Sequence, residues 1–330
     1  MNFSLVICTY KRPQALLTLL QSVKQQTLYP NEILIVDGSP DAATKTMLDQ
    51  NAFQNLNYYK VEEKDRGLTK QRNYGITRVS DTNDVVCFLD DDTVLASNYF
   101  EQIIITYQNY PDALGVGGYI TNEVTWHNVG TPYAPNSNEF YFDGYSRSDG
   151  SRFVWRKKLG LDSDVPPGYS PEFSHGRSVG FLPPSGKVYP VEQLMGGVSS
   201  FRTAVFEQFQ FSTYFEGYGL YEDADFTLRV SKVGKLYLNT AAQLEHHHDA
   251  AGRPNQFAYG KMVVRNGWYV WRVKNQKPSF KAKYKWHAIT LLLTAIRATN
   301  IVTTSKKKEA FTETLGRLVG WFSLFLNKPR

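Results

Sequence analysis

Apolar segments of two kinds alternate along the first 90 residues of the chain. Short continuous apolar runs predict buried strands, and longer stretches with apolar residues three or four apart predict helices. In chain order these are a strand at 3–9, a helix at 13–26, a strand at 32–37, a helix at 41–51, a strand near 57–61, a helix at about 67–79 and a strand at 85–89. Strands that alternate with helices predict an α/β fold with a mostly parallel sheet, whose ligands bind beyond the carboxyl ends of the strands. Thr9, Asp37 and Asp90 stand at three such ends.

The regular pattern stops between residues 122 and 188, where proline, glycine, serine, asparagine and aromatic residues are frequent. A long irregular stretch is typical of a substrate-binding excursion or a mobile lid. Order returns at 195–202, after which the pattern predicts a helix from Glu222 to Val233 and a strand from Leu236 to Glu245. The sequence has no internal repeat.

The composition fits a folded protein of one large domain or two smaller ones. The chain has 330 residues, of which 42% are hydrophobic and 14% aromatic, and this excludes an intrinsically disordered chain. Its two cysteines, Cys8 and Cys87, lie in apolar runs and are expected to be buried free thiols. Because residues 3–8 already form a predicted strand, we expect no secretory signal and a reducing, cytoplasmic compartment.

Charge divides the chain at about residue 252. Residues 253–330 contain 16 Lys and Arg against two acidic residues, so this tail has a formal charge of +14, whereas residues 1–252 have a formal charge of −8. A basic segment of this kind is expected to meet an anionic surface, either a membrane or a nucleic acid. The membrane is favoured because the tail is also strongly apolar in places.

Two stretches of the tail have this apolar character. One runs from Trp286 to Ile296, and the other has apolar residues at helical spacing, namely Phe311, Leu315, Leu318, Val319, Phe322 and Phe325, with Trp321 beside them. Neither reaches the roughly 20 apolar residues needed to cross a bilayer. Two interpretations stay open: amphipathic helices that lie in a membrane interface, supported by the lysines at 306–308, or helices that cover the domain's own core.

Two clusters of acidic residues indicate a metal site and a base. Residues 90–92 are three aspartates directly after the strand at 85–89, and residues 222–225 read Glu-Asp-Ala-Asp at the start of a predicted helix. Carboxylates crowded at the mouth of a buried strand repel one another and lose hydration unless a cation lies between them. Oxygen ligands favour Mg2+ or Mn2+. The alternative is that residues 90–92 merely form a turn and a helix cap.

Five short motifs follow one another over residues 3–248: ICTYKRP at 7–13, IVDGS at 35–39, GLTKQRNYGI at 67–76, FLDDD at 88–92 and GYGLYEDADF at 217–226. In this order and spacing they resemble family 2 glycosyltransferases of the GT-A fold, of the bacterial polysaccharide rhamnosyl- or galactosyltransferase type. The resemblance does not cover residues 126–188 and 270–330. It implies a catalytic domain at 1–252, with a nucleotide-binding half at 1–121 and an acceptor-binding half at 122–252, followed by a helical region at 253–330.

The resemblance implies which residues bind the donor, a UDP-, dTDP- or GDP-linked sugar. These are Thr9, Tyr10, Arg12, Asp37, Arg72, Asn73, Asp90 and Asp91. Asp37 would contact the base, or it would be a turn residue before Gly38. The forked guanidinium of Arg72 would suit a diphosphate because its donors match paired oxygens, although a solvated helix face is the alternative.

The same resemblance implies roles at the reaction centre. Asp90 and Asp92 match the DxD motif of the family, so Asp92 would coordinate Mn2+ or Mg2+ while Asp90 contacts the ribose or a metal-bound water. Asp223 matches the catalytic base, which takes the proton of the acceptor hydroxyl in one inverting displacement. Glu222 and Asp225 would orient Asp223 or would cap the helix.

Three histidines follow the strand predicted at 236–245. On an extended strand His246 and His248 share a face, and His247 faces the other way. Since some family members supply a histidine from this place to the metal or the diphosphate, the resemblance implies His246 first and His248 second as ligands. An imidazole ligand would favour Mn2+. A purely structural role is the alternative.

The residues expected on the acceptor side are Gly197, Trp155, Glu222 and Asp225. Phe153, Trp155 and Tyr169 are candidate platforms for sugar rings, or else they form the core of the irregular stretch.

The resulting hypothesis is an inverting, metal-dependent glycosyltransferase of cell-surface polysaccharide synthesis, which moves a sugar from a nucleotide donor to a glycan or lipid-linked acceptor. It would work at the inner face of the cell membrane and bind no nucleic acid, and its oligomeric state stays open. One alternative is a sugar-phosphate nucleotidyltransferase, although such enzymes usually have a glycine-rich loop after the first strand and residues 9–13 have no glycine. The other is a non-catalytic carbohydrate-binding protein on the same fold.

Overall fold

The structure of the protein is a computed structural model that describes residues 1–215, 217–248 and 255–329. The chain falls into two compact units: Met1–Val124 with Pro184–Gly252, and Thr125–Pro183 with Arg253–Arg330. Most of the irregular stretch therefore belongs to the same unit as the C-terminal helices. The domain boundary predicted at residue 252 lies outside the described residues, and the division into nucleotide- and acceptor-binding halves stays a prediction.

The elements follow one another along the described residues as strands, helices and short 3-10 turns. The strands are β1 (Phe3–Thr9), β2 (Glu32–Asp37), β3 (Leu56–Lys60), β4 (Val85–Asp90), β5 (Thr93–Leu95), β6 (Ala113–Ile120), β7 (His127–Asn128), β8 (Glu139–Phe142), β9 (Tyr145–Ser148), β10 (Val188–Val191), β11 (Val198–Arg202) and β12 (Lys235–His246). The α-helices are α1 (Pro13–Lys24), α2 (Ala43–Asp49), α3 (Leu68–Ile76), α4 (Tyr99–Asn109), α5 (Ser151–Lys158), α6 (Glu222–Val230), α7 (Gln256–Lys274), α8 (Phe280–Thr303) and α9 (Lys307–Leu326). The 3-10 turns are Glu63–Asp65, Val179–Phe181 and Thr203–Glu207.

The first unit is built on one sheet, which has nine strands in the part of the chain that the structure describes. The strand order is β10-β12-β6-β11-β4-β1-β2-β3, and β5 pairs with β12. The four strands β4, β1, β2 and β3 run parallel to their neighbours within this set, as β6 and β12 do to each other. Strands β5, β10 and β11 join antiparallel. The α/β class and the N-terminal alternation predicted from the sequence are confirmed.

The core of the first unit explains the continuous apolar runs. Strands of a parallel sheet are buried on both faces, so their side chains are apolar without alternation. Leu5, Ile35 and Leu89 of the sheet lie in one core with Leu20 of α1 and Phe100 of α4, each at most 3% exposed. Both cysteines are free, as predicted. Cys87 of β4 is buried, as expected, whereas Cys8 of β1 is only half-buried.

The stretch predicted to be irregular has more order than its composition indicates. Strands β7, β9 and β8 form a separate antiparallel sheet, and α5 follows them. The strands are only two to four residues long, and proline and glycine separate them. Strands this short give no readable alternation of apolar and polar residues, which is why the sequence did not predict them.

The second unit packs its three C-terminal helices around tryptophan side chains. Its core contains Phe173, Val264, Trp268, Trp271, Ala282, Trp286, Ile289 and Leu324. Helices α7 and α9 approach each other closely through glycine: a Cβ on Gly316 would lie 2.1 Å from the carbonyl oxygen of Phe257, and one on Gly260 would lie 2.2 Å from that of Glu313. Among the helices that the structure describes, none combines the length and apolarity required to span a bilayer.

Candidate active site

The carboxyl ends of the parallel strands bring predicted site residues to one edge of the sheet. Thr9 pairs with Asp37 across β1 and β2, and Cys8 pairs with Asp90 across β1 and β4. Because these strands are parallel, residues 91–92 follow at the same edge. The expected convergence of polar residues from three strands is therefore present.

Asp91 is held by the end of β1 and the turn after it. Its Oδ2 accepts a hydrogen bond from Thr9 Oγ1 at 2.6 Å, and its Oδ1 lies 3.1 Å from Arg12 Nη1. Burial raises the pKa of Asp91 to about 6, although Thr9 and Arg12 both lower it. These contacts fix the turn at residues 90–92 against the first strand.

Asp92 connects the same turn to the end of β12. Its Oδ1 lies 3.0 Å from His246 Nε2 and its Oδ2 lies 3.3 Å from Arg12 Nη1. His246 Nδ1 lies 3.4 Å from Glu123 Oε1. Burial opposes a charge on His246, but its hydrogen bonds to Asp92 and Glu123 outweigh burial and raise its pKa to about 10. The imidazole thus lies between two carboxylates that favour positive charge at this place.

Among the described residues, two groups of side chains have ligand atoms close enough together to share a cation. One group is Asp90, Asp92 and His246, the other is Glu123, His246 and His248, and within each group the ligand atoms lie within 4.8 Å of one another. Two carboxylates with one imidazole are donors that Mn2+ accepts, so the first group fits the predicted metal. His248 Nε2 lies 3.0 Å from Glu123 Oε1, and His248 belongs to the second group.

Glu123 is a site residue that the sequence reasoning missed. It follows β6 by three residues and stands in none of the motifs. Strand β6 runs parallel to β12 with Ile120 opposite Leu244, so the residues just past both strands meet. Glu123 could have been predicted as a site residue only if the parallel pairing of β6 with β12 had been known.

Asp223 lies in the first turn of α6. Its Oδ2 accepts a hydrogen bond from the Gly196 N–H at 3.2 Å, and its Oδ1 accepts one from the Ala224 N–H at 2.8 Å. Burial raises the pKa of Asp223 against the effect of these two donors. Tyr221 precedes the helix in the left-handed conformation with a φ of 70°, and its side chain makes no capping hydrogen bond. A partly buried carboxylate in a fixed orientation is suited to accept a proton.

Arg72 connects the two acidic clusters. Its Nη1 pairs with Glu222 Oε1, and its Nη2 lies 3.4 Å from Asp90 Oδ1. The side chain is buried, and its Cζ lies 5.2 Å from the ring centroid of Phe211. Burial opposes the charge of Arg72, but Glu222 and Asp90 outweigh burial and raise its pKa. Burial also raises the pKa of Glu222, whose Oε2 has no hydrogen-bond partner among the described residues.

The dipeptide Gly196-Gly197 lies between the clusters and leaves no room for a side chain. A Cβ on Gly196 would lie 2.5 Å from Glu222 Oε1, and one on Gly197 would lie 2.1 Å from Asp90 Oδ2. Gly196 also donates to Asp223, as described above. Asp90 and Asp223 therefore flank one dipeptide, and this brings the carboxylates of both clusters to one place.

Asp37 and Tyr10 differ sharply in exposure. Asp37 is fully buried, with Oδ1 accepting from the Ser39 N–H at 2.7 Å and Oδ2 accepting from the Tyr58 hydroxyl at 2.9 Å. These contacts are those of the turn residue that the sequence offered as an alternative. Tyr10 is exposed, with Lys11 Nζ 5.4 Å from its ring centroid. Contact of either residue with a donor stays a prediction.

Asn73 and Asp225 have partners inside the first unit. The Asn73 amide exchanges two hydrogen bonds with the backbone of Phe211, at 2.8 and 2.9 Å. The fully buried Asp225 accepts from Arg229 Nη2 at 2.7 Å within α6. Both contacts stabilise the surroundings of α6, and the predicted donor and acceptor roles of the two residues stay predictions.

The aromatic candidates of the irregular stretch lie in the second unit. Phe153 is 1% exposed, with its ring centroid 4.9 Å from that of Phe181 and 4.0 Å from Arg177 Cζ. The expectation of an acceptor platform is wrong for Phe153, because a buried ring has no face to offer; it belongs to the core, the stated alternative. Trp155 is exposed and Tyr169 is half-buried.

Comparison with protein families supports the resemblance read from the motifs. Residues 4–157 match the model of glycosyl transferase family 2. A glucosyl-dolichyl phosphate glucuronosyltransferase from Haloferax volcanii is 31% identical over 123 residues, which are 36% of this chain and 38% of that protein. The O-antigen chain rhamnosyltransferase RfbN from Salmonella typhimurium is 26% identical over 147 residues, 44% of either protein. The chain thus spans less than half the length of these relatives.

Solved structures agree in fold. TarS of S. aureus, residues 1–349, has a TM-score of 0.53 at 14% identity, over 98% of this chain and 80% of that one. GalNAc-T7, solved with UDP, GalNAc and Mn2+, has a TM-score of 0.54 at 15% identity, over 100% of this chain and 58% of that one. At such identity the likeness concerns the fold, and it agrees with the GT-A fold predicted from the motifs. The N-terminal region of the chain, residues 4–157, is therefore similar to glycosyl transferase family 2, and the fold agrees with that similarity.

Proposed function

We propose that the protein is an inverting, metal-dependent glycosyltransferase, which moves a sugar from a nucleoside-diphosphate donor to a glycan or lipid-linked acceptor in cell-surface polysaccharide synthesis. One observation carries this proposal: Asp90 and Asp223 flank the dipeptide Gly196-Gly197. Sugar transfer needs positive charge near the leaving diphosphate and a proton acceptor near the attacking hydroxyl. A cation ligand and a raised-pKa carboxylate in one place supply the two groups.

Asp90, Asp92 and His246 would hold the cation, with Mn2+ favoured by the imidazole. When bound, the cation would offset the negative charge that gathers on the diphosphate as it leaves. Arg12, whose Nη1 lies 3.3 Å from Asp92 Oδ2, adds positive charge at the same place. His248 is the second candidate ligand, through the group that contains Glu123.

Asp223 would take the proton of the acceptor hydroxyl as that oxygen attacks the anomeric carbon. The Gly196 N–H fixes one carboxylate oxygen, and the first turn of α6 fixes the other. A single displacement by an oxygen from the opposite side of the sugar inverts the anomeric carbon. Glu222 would orient the base through its position beside it in α6, with Arg72 holding Glu222 in turn.

The donor would lie along the edge formed by β1, β2 and β4. Tyr10 and the side chain of Asp90, 38% exposed, offer surface there. The other residues proposed to bind the donor have side chains held by the contacts described above; they are Thr9, Arg12, Asp37, Arg72, Asn73 and Asp91. Gly197, Trp155 and Asp225 stay proposed residues of the acceptor side.

The acceptor is proposed to be presented at the inner face of the cell membrane. The names of two relatives support a lipid-linked or glycan acceptor, since one includes dolichyl phosphate and the other an O-antigen chain. The basic tail is consistent with an anionic surface as a partner.

Replacement of Asp223 by Asn tests the proposal. Asp223→Asn should lose turnover by at least about a hundredfold, the scale of a general base, while Mn2+-dependent thermal stabilisation by nucleotide sugars is retained. Asp81→Asn, at an exposed position of the same unit, is the matched control and should keep full activity. A wild-type protein that binds nucleotide sugars but transfers and hydrolyses none would point to the carbohydrate-binding alternative. Formation of a nucleotide sugar from a sugar phosphate would point to the nucleotidyltransferase.

A further inference from the structure

Helix α9 exposes large apolar side chains along one face. We call these side chains the α9 stripe: Phe311, Leu315, Val319, Phe322, Phe325 and Leu326, which are 39% to 91% exposed. At 100° of rotation per residue, the six positions fall within an arc of about 120° around the helix axis. A contiguous exposed apolar strip of this kind is typical of an interaction surface.

The opposite face of α9 makes the contacts of the core. Ala310, Gly316, Gly320 and Leu324 are buried there, and the glycines let the backbones of α7 and α9 approach. The side chains of the stripe are largely turned away from this packing, although the ring of Phe325 also stacks on that of His287 in α8, with ring centroids 6.0 Å apart. The exposed part of the stripe is apolar surface that the packing of α7, α8 and α9 does not cover.

The charge around the stripe is positive. Lys307 and Lys308 begin α9 and are exposed. Of the two acidic residues of the tail, Glu313 is buried in ion pairs with Arg297 and Arg317, and Glu309 is exposed in the first turn of α9 with its Oε2 3.9 Å from Lys306 Nζ. Lys306, Lys307 and Lys308 outnumber Glu309 at the start of α9, so the surface at this end of the stripe has a net positive charge.

Helix α8 repeats the arrangement on a smaller scale. Phe280 and Tyr284, one helical turn apart, are 85% and 68% exposed. Lys281 and Lys283 are exposed beside them. Exposed aromatic residues bordered by lysines are typical of helices that lie in the interface of an anionic membrane.

We propose that the α9 stripe lies in the interface of a membrane that contains anionic lipid, with Lys307 and Lys308 at the headgroups. Positive charge around the stripe favours anionic lipid over a second copy of the chain, since two such basic surfaces would repel each other. The inference deepens the proposed function by naming the surface through which the enzyme reaches a lipid-linked acceptor. It rests on that function only for the nature of the acceptor.

Flotation of the full chain with vesicles tests the inference. The wild type should float with phosphatidylcholine vesicles that contain phosphatidylglycerol, and not with pure phosphatidylcholine vesicles. Phe311→Ser/Phe322→Ser should lower the partition coefficient at least tenfold, since two half-exposed phenyl rings lose their burial in lipid. Lys307→Glu/Lys308→Glu should lower the partition coefficient by about fivefold or more for each lysine. Added salt should also lower the partition coefficient of the wild type, because it screens the attraction to anionic lipid.

Leu159→Ser is the matched control, because Leu159 is a 54% exposed apolar residue of the same unit outside α8 and α9. It should bind vesicles like the wild type. All six tryptophans lie in the second unit, so their fluorescence verifies that each variant keeps this unit folded.

Three results would overturn the inference: no wild-type flotation with anionic vesicles, equal loss in Leu159→Ser and the stripe variant, or a stripe-dependent dimer in solution that does not bind vesicles. Hydrolysis of nucleotide sugars in the absence of vesicles is measured in parallel. If that activity is intact while flotation fails, only the membrane surface is wrong.

Discussion

Arg72 and Glu222, which are 150 residues apart in the chain, form a buried ion pair in the candidate active site. Each side chain is at most 5% exposed, and Arg72 also reaches Asp90 at 3.4 Å. One guanidinium therefore ties the first turn of α6 to the end of β4. A buried pair adds little net stability, but a partner left alone in the interior is strongly unfavourable.

Arg72→Met is expected to lower the free energy of unfolding by about 3–5 kcal/mol, because the Glu222 and Asp90 carboxylates lose their cation. The double variant Arg72→Met/Glu222→Gln should recover part of this loss, since the buried negative charge is also removed. Urea denaturation followed by circular dichroism measures both. If the double variant is less stable than the single one, the pair is not the source of the loss.

Gly197→Ala should impair the metal site without a change of charge. The new Cβ would lie 2.1 Å from Asp90 Oδ2, so the carboxylate must move. We expect Mn2+ affinity to fall by roughly tenfold or more, the scale of misplaced ligand geometry, as measured by calorimetric titration. Gly150→Ala is the control, because its Cβ would meet nothing within 4 Å and its φ is −69°. An unchanged affinity in Gly197→Ala would remove Asp90 from the proposed ligand set.

Glu123→Gln is expected to weaken Mn2+ binding by about ten- to a hundredfold, through the orientation of His246. Glu123 Oε1 lies 3.4 Å from His246 Nδ1 and holds the ring so that Nε2 is directed at Asp92 Oδ1. Calorimetric titration and the electron paramagnetic resonance of bound Mn2+ report this without turnover. Glu245→Gln serves as the control, since Glu245 pairs with His247 on the other face of β12. Equal effects of the two substitutions would mean that charge, rather than the orientation of His246, sets the affinity.

The sequence predicted those parts of the site that lie within single motifs. The apolar run 85–89 followed by three aspartates correctly predicted a buried strand that delivers carboxylates to a sheet edge. The first turn of α6 was predicted from its acidic residues and the helical pattern after them. In both cases residues adjacent in the chain determine the feature.

Beyond the convergence at the strand ends and the meeting of Asp92 with His246, the contacts between distant segments were not predicted. Arg72 appeared as a diphosphate ligand in its motif, and only the fold shows that Glu222 and Asp90 already surround it. Glu123 became visible only once β6 was found beside β12. Tertiary pairing decides which polar groups meet, and periodicity along the chain contains no information on it.

The raised pKa of Asp223 predicts the pH dependence of transfer. A general base acts in its deprotonated form, so activity falls as the pH drops below its pKa. Since burial raises the pKa of Asp223, the acidic limb of kcat should lie above the pKa of about 3.9 of a free aspartate. Rates measured at saturating Mn2+, with Mn2+ binding titrated over the same pH range, separate the base from loss of the metal. The residual rate of Asp223→Asn should lack this limb. A limb at the ordinary aspartate value, or one that survives in Asp223→Asn, would assign the proton transfer to another group.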